Sequence, residues 1–273
     1  MRSIDATTIH DSLDRDVAAR MDQLDVFDEI DSTNSYLLQQ QAPGQGRHRV
    51  AVADHQTAGR GRQSREWISA PGSSLCLSVA YTFDGQPENL PGLTLAIGVA
   101  ARDALTVAGV NNVLLKWPND LFADDGKLGG MLTETHIRSE TDTTVVAGIG
   151  INVDLPKQLL HDNTSRWSHR AADLTAIATS PPSREVLSAL LIDHIVESLD
   201  LFATSGVGIF IESWREFDWL RDRDITVEQP NGRISGIACG IDDDGALLLH
   251  TGATVTRIIS GSISLDSAAG TRE

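Results

Sequence analysis

The chain has 273 residues, 41% of them hydrophobic, and a formal net charge of −16, which fits one large domain or a large one with a small companion. No apolar run reads as reaching the roughly 18–20 residues of a membrane span, and the start, "MRSIDATTIHDSLDRD", lacks a signal core. The acidic field opposes nucleic acid, whose affinity comes mostly from phosphate neutralisation, so a cytoplasmic protein without DNA or membrane partners is expected.

Of 22 basic residues only Lys116, Lys127 and Lys157 are lysines. An Asp-rich, Lys-poor surface is read as halophilic, suited to salt that screens repulsion over a few ångströms. Where arginine otherwise carries the charge, a remaining lysine is read as kept for its compact ammonium group, with chance survival as the competing reading. Cys76 and Cys239 lie far apart in apolar stretches and read as buried free thiols.

Leu13, Val17, Met21 and Leu24 fall at helical spacing and predict a helix over residues 12–24. "LDVFDEI" alternates like a strand, and "DSTNSYLLQQQ" opens a helix with Ser32 or Thr33 as its cap. "RVAVAD" and "SSLCLSVAYTF" are expected as buried strands on either side of "HQTAGRGRQSREW". "LTLAIGVAARDALTVAG" is a long apolar helix ending at Gly109. "NVLLKW", a turn at "ADDG", and the strands "KLGGMLTETHI" and "TTVVAGIGINV" follow. Helices are expected over 183–204 and 207–218. From Asp224 the pattern changes to short strands, "ITVEQ", "RISGIAC", "ALLLH" and "TVTRIIS", a β-barrel or sandwich of about 45 residues that leans on the rest.

Three segments carry chemistry. "GRGRQS" nearly fits the dinucleotide fingerprint but opens no helix, since Pro71 and Gly72 lead into a strand. What remains is a mobile loop whose Arg60, Arg62 and Arg65 suit a polyphosphate or carboxylate; a solvated turn is the competing reading. In "KWPND", Lys116, Asn119 and Asp120 end an apolar strand, and Asp120 can hold Mg²⁺ or accept a proton; a simple turn competes here. In "GKLGG" and "GIGIN", glycines inside strand-like runs let a flat ligand lie on the backbone, unless they mark bulges. Asn152 ends the second run with an amide. Histidines lack ligand spacing, and the P-loop, metalloprotease, Cys-x-x-Cys and nucleophile-elbow motifs are absent.

In this order, "DSTNSYL", "QTAGRGRQSREW", "KWPNDLF", "GKLGGMLTE", "GIGINV" and "SGIACGIDDDGALLL" resemble the biotin–protein ligases over about residues 31–266. The resemblance implies an α+β fold. Its catalytic core, residues 1–222, would be a mixed sheet with helices akin to class II aminoacyl-tRNA synthetases, and an SH3-like β-barrel would occupy residues 223–273. It implies ATP-dependent joining of biotin, through biotinyl-5′-adenylate, to a lysine of a biotin carboxyl carrier domain, with ATP and biotin as substrates and Mg²⁺ beside them. Ser32, Thr33, Asn34 and Gln56 would hold the ureido ring. Arg60, Gly61 and Arg62 would close over biotin and nucleotide, and Lys127 would meet the reacting carboxylate and phosphate. Asp120 would orient or deprotonate the acceptor amine, and Lys116 would set the field around it on the nucleotide side. Asn152 would touch the nucleotide, and Trp167 would stack on adenine.

Two departures stand out. The family usually has glycine where Ser64 stands, which bears on loop dynamics. Only about thirty residues precede "DSTN", too few for the DNA-binding winged helix of many bacterial members, so a monofunctional ligase is expected. A homodimer stays open. The rival readings are a lipoate–protein ligase, whose Arg-Arg-x-Ser-Gly-Gly-Gly segment is absent, and a non-catalytic biotin-binding regulator, which would have lost Arg60, Lys127 and Asp120.

Overall fold

Two short helices, not one, precede the first strand of the computed structural model, which describes residues 3–137, 142–157 and 170–265. Asp5 caps α1 (Ala6–Asp11), and Asp14 caps α2 (Arg15–Ala19) by accepting from the Asp16 N–H at 2.8 Å. Asp14 thus opens a new helix inside the expected 12–24 span, and Met21 and Leu24 belong to β1 (Met21–Ile30). Helix α3 (Thr33–Gln39) follows with Ser32, one of the two expected candidates, as its cap.

The main sheet holds β1, β2 (His48–Gln56), β3 (Ser74–Asp84), β4 (Leu114–Lys116), β5 (Asp120–Ala123), β6 (Gly126–Ile137) and β7 (Asp142–Asn152). Their order is β1-β2-β3-β7-β6-β5-β4, with β1 parallel to β2 and the other pairs antiparallel. Both faces of the central strands are covered, so β3 and β7 read as near-continuous apolar runs. Period two still sorts their side chains. Leu75, Leu77, Val79, Ala147, Ile149 and Ile151 enter the large core, where α4 (Leu93–Val107) and α6 (Arg184–Ser205) pack. Ala80 and Val146 face the other way, with Leu37 of α3. Ser78, Gly148 and Gly150 share that second face by the same alternation.

The stretch Leu90–Val107 corrects one expectation. Its 18 residues have mean hydropathy 1.3, long and apolar enough by composition to cross a membrane. Here 61% of it is buried against the sheet and α6, so its apolarity is that of a core helix.

The chain continues through α5 (Leu174–Ile177) to α6 and α7 (Gly208–Glu216). A five-stranded antiparallel sheet then forms from β8 (Asp224–Gln229), β9 (Gly232–Ile241), β10 (Leu247–Thr251), β11 (Thr254–Ile258) and β12 (Ser262–Leu265), in the order β11-β10-β9-β8-β12. Ile225, Val227, Leu247, Leu249 and Ile263 belong to the same apolar cluster as the main core. The Trp117 indole also donates to Gly245 O at 3.0 Å. The mixed sheet with helices and the small antiparallel unit match the expected fold class; β5 and β12 are additional to the expected strands. Cys76 is buried, but Cys239 is exposed because β9 turns Ala238 inward and its neighbour outward.

Beside Arg20, Asp200 and Tyr81, His48 is wholly buried, and neither ring nitrogen has a hydrogen-bond partner among the described residues. Burial pushes its pKa down to about 4 from 6.5, with Arg20 adding to the effect. The unfolded chain therefore binds the extra proton between those pH values. Stability from this ring is complete above pH 6.5 and is lost as pH falls towards 4, by about 3 kcal/mol. Urea midpoints at pH 7 and pH 5 should fall less in His48→Leu than in the wild type; equal falls would refute the assignment.

Candidate active site

The glycine- and arginine-rich loop spans Gly59–Trp67, between β2 and β3. Gly61 N–H donates to Arg65 O at 2.7 Å and Trp67 N–H to Gly59 O at 2.9 Å, closing the loop on itself. At its tip Gln63 and Ser64 have φ of 54° and 59°, the left-handed region that costs a side-chain-bearing residue about 1–2 kcal/mol. Ser64 thus stands in backbone suited to glycine.

Beneath the loop lies a cavity of about 590 Å³, a size suited to a small-molecule ligand. One end is built from neutral polar groups. The α3 cap brings Ser32, Thr33 and Asn34 to the wall. Gln56, ending β2, accepts from Thr33 N–H at 2.8 Å and from Thr33 Oγ1 at 3.1 Å. Ser78 Oγ donates to Asn34 Oδ1 at 2.6 Å and lies 2.7 Å from Thr33 Oγ1. Strand register sets Ser78 opposite Gly148 and Cys76 opposite Gly150. A Cβ on Gly148 would collide with Asn34 Oδ1, and one on Gly150 with the Trp67 ring. These two glycines are therefore needed for close approach, and no register shift interrupts their pairing with β6.

The other end is charged. The β4–β5 hairpin carries Lys116 and Asp120, and β6 brings Lys127 alongside. Lys127 Nζ is 2.7 Å from Asp120 Oδ1, while Lys116 Nζ is 3.9 Å from Asp120 Oδ2. Two ammonium groups thus share one carboxylate. Lys116 is 3% exposed, and burial pushes its pKa down to about 8 against the pull of Asp120. Arg62 reaches towards the same corner, with Nη1 3.4 Å from Asn119 Oδ1, and burial lowers its pKa while Asp120 opposes the shift. Cys76 is no nucleophile, since burial pushes its thiol up to about 12.

Ser32, Thr33, Asn34, Gln56, Arg60, Gly61, Arg62, Lys116, Asp120 and Lys127 all line this one cavity. For three of the expected site residues the structure shows the partners. The Arg60 guanidinium makes a two-pronged pair with Glu134, at 2.9 and 2.6 Å, while Arg62 reaches Asn119 beside Asp120. Asn152 is 1% exposed and donates to Lys127 O and Ala172 O at 3.1 and 3.0 Å, bracing the strand that carries Lys127. Asp120 is engaged by lysine, and no three His, Cys, Asp or Glu side chains among the described residues are grouped to hold a metal. A protein-made Mg²⁺ site on Asp120 does not fit that arrangement. Trp167 lies outside the described residues.

Sequence reasoning missed Ser78, Trp67, Glu134 and Ser262. Ser78 was within reach, because strand alternation puts it on the face of Gly148; nothing local marks Glu134 or Ser262.

The profile of the Biotin/lipoate A/B protein ligase family matches residues 26–152, and that of the Biotin protein ligase C terminal domain matches residues 222–266. The chain is 35% identical over 267 residues to the bifunctional ligase/repressor BirA of Salmonella typhimurium, covering 97% of this chain and 79% of that protein. It is 32% identical over 248 residues to the biotin–[acetyl-CoA-carboxylase] ligase of Mycobacterium tuberculosis, 88% of each being covered. A solved biotin protein ligase from Aquifex aeolicus, in complex with biotin and ATP, superposes with a TM-score of 0.73 at 25% identity, over 90% of this chain and 100% of that one. The shared architecture is that of an ATP-using ligase. This chain belongs to the biotin protein ligase family.

Proposed function

We propose that the chain uses ATP to join biotin to a lysine of a carboxylase's biotin carboxyl carrier domain. The observation that carries this reading is the two-ended cavity, with neutral hydrogen-bonding groups at one end and Lys116, Lys127 and Arg62 around Asp120 at the other. The neutral end suits a ureido ring, which offers two N–H donors and one carbonyl acceptor. Ser32, Thr33, Asn34 and Gln56 are assigned to it, with Ser78 completing the set.

In the first step a biotin carboxylate oxygen attacks the α-phosphorus of ATP, the bond to the β-phosphate breaks, and pyrophosphate leaves. Anion approaches anion, so positive charge must already stand where the transition state gathers negative charge. Lys127 and Arg62 are assigned that task, while Arg60 fixes the loop through Glu134. In the second step the acceptor amine attacks the acyl carbon and the C–O bond to AMP breaks. Asp120 orients that amine and takes or passes on its proton, and Lys116 tunes Asp120. Mg²⁺ is assigned to the ATP phosphates rather than to a resident site.

We further divide the chain into a catalytic unit, 1–222, and a C-terminal unit, 223–273, a division supported by the second profile match at 222–266. The charge of −16 supports a protein working in concentrated salt, in the cytoplasm where ATP is available. Biotin-dependent exchange of labelled pyrophosphate into ATP, in molar KCl, tests the first step, and streptavidin detection of a purified carrier domain tests the second. Exchange with lipoate and not biotin would convert the reading to a lipoate ligase. Biotin binding without exchange would leave only a regulator.

A further inference from the structure

The cationic loop belongs to the large sheet's cavity, yet its tip is held by the small sheet. Ser262 Oγ, on β12, donates to Gln63 Oε1 at 2.6 Å and accepts from Arg65 Nη2 at 2.8 Å. One hydroxyl thus ties together the two side chains that flank Ser64. Gly261, Ser262 and Ile263 also form part of the cavity wall. Just before β12, Gly261 packs on β8, where a Cβ would stand 2.5 Å from Val227 Cγ1. The backbone of Ser262 pairs with Glu228 in β8, so its hydroxyl has no part in holding the strand.

The tip needs such a tie. Gln63 and Ser64 occupy left-handed backbone, and segments held there relax unless their surroundings determine them. Arg62 and Arg65 add like charge on either side. An acyl-adenylate under the loop survives only while water is kept out.

We propose that Ser262 is a positioning residue that latches the loop tip across the two sheets and so retains the activated acyl group. Resting on the ligase reading above, this extends it from forming the adenylate to keeping it. When the latch opens, water attacks the acyl carbon, the C–O bond to AMP breaks, and free biotin and AMP leave with a proton released to solvent.

The test uses the full chain with biotin and ATP and no acceptor protein. It measures AMP release against biotin-dependent pyrophosphate exchange, a ratio that general loss of folded protein leaves unchanged. Ser262→Ala should raise the ratio about five- to tenfold, the scale of one or two lost hydrogen bonds. Ser262→Thr, which keeps the hydroxyl, should stay near the wild type. Gln63→Ala should raise the ratio as well, and the Gln63→Ala/Ser262→Ala double variant should add nothing beyond Ser262→Ala. A wild-type ratio in Ser262→Ala, or multiplying effects in the double variant, would overturn the latch. Absence of biotin-dependent exchange in the wild type would instead overturn the ligase reading.

Discussion

Lys127→Ala is expected to slow biotin-dependent pyrophosphate exchange by about 10²–10³-fold, the usual cost of removing one preorganised donor from a charge-gathering site. The geometry argues for the upper part of that range. Lys127 Nζ lies 2.7 Å from Asp120 Oδ1, whereas Lys116 is 3.9 Å from the other oxygen. Taking the nearer ammonium away removes a cation and leaves the Asp120 carboxylate poorly compensated in the place where two more anions must meet. Lys127→Arg keeps the charge but spreads it over a planar fork too large for the same position, so it should recover only part of the rate. Lys116→Ala should cost much less, since that ammonium acts through Asp120. Exchange kinetics for the three variants decide the matter. Full activity in Lys127→Ala would remove this lysine from the chemistry.

The second large effect is expected from a single methyl group. Gly148→Ala places a Cβ where Asn34 Oδ1 now sits, in the middle of β7 with no room to yield. Asn34 cannot move alone. Its Oδ1 accepts from Ser78, and its Nδ2 donates to Leu132 O at 3.2 Å and to Glu134 Oε2 at 2.8 Å. Glu134 in turn holds Arg60, so the displacement spreads from the neutral end of the cavity to the loop. Overpacking should cost about 1–3 kcal/mol of stability, and loss of the wall should raise the biotin KM by about 10–100-fold. Thermal melting and biotin titration separate the two effects. In Asn34→Ala/Gly148→Ala the clash is relieved, so the melting temperature should recover while biotin affinity stays low. Wild-type biotin affinity in Gly148→Ala would show that this end does not receive biotin.

Much of the fold was legible because its signals are local. Alternation marked β1, unbroken apolar runs marked β2 and β3, a hydroxyl cap marked the start of α3, and a long apolar run marked α4. At residues 12–24 the apolar periodicity runs through Asp14, which caps a helix starting at Arg15, and on into Met21 and Leu24, which pair with β2 as part of β1. β5 was hidden because "PND" is good turn chemistry, and the turn and the strand overlap at Asp120. For the site, the motifs supplied residues that line one cavity but not their partners. Arg60 and Arg62 are equivalent by sequence; Glu134, 74 positions beyond Arg60, decides which of them is occupied. Asn152 was singled out by resemblance, but its two donated bonds, to Lys127 O and Ala172 O, had no sequence signal.

The amino-acid sequence by itself determined the order of elements, the loop rich in glycine and arginine, and the chemical groups available, since these follow from periodicity, capping and residue type within a few positions. Only the tertiary structure decided that two lysines share Asp120, that Asn34 rests on Gly148, and that Ser262 reaches Gln63 and Arg65 across 199 and 197 positions. Contacts of that kind leave no local pattern, because they depend on how strands register and sheets pack, and packing is settled by the whole core at once.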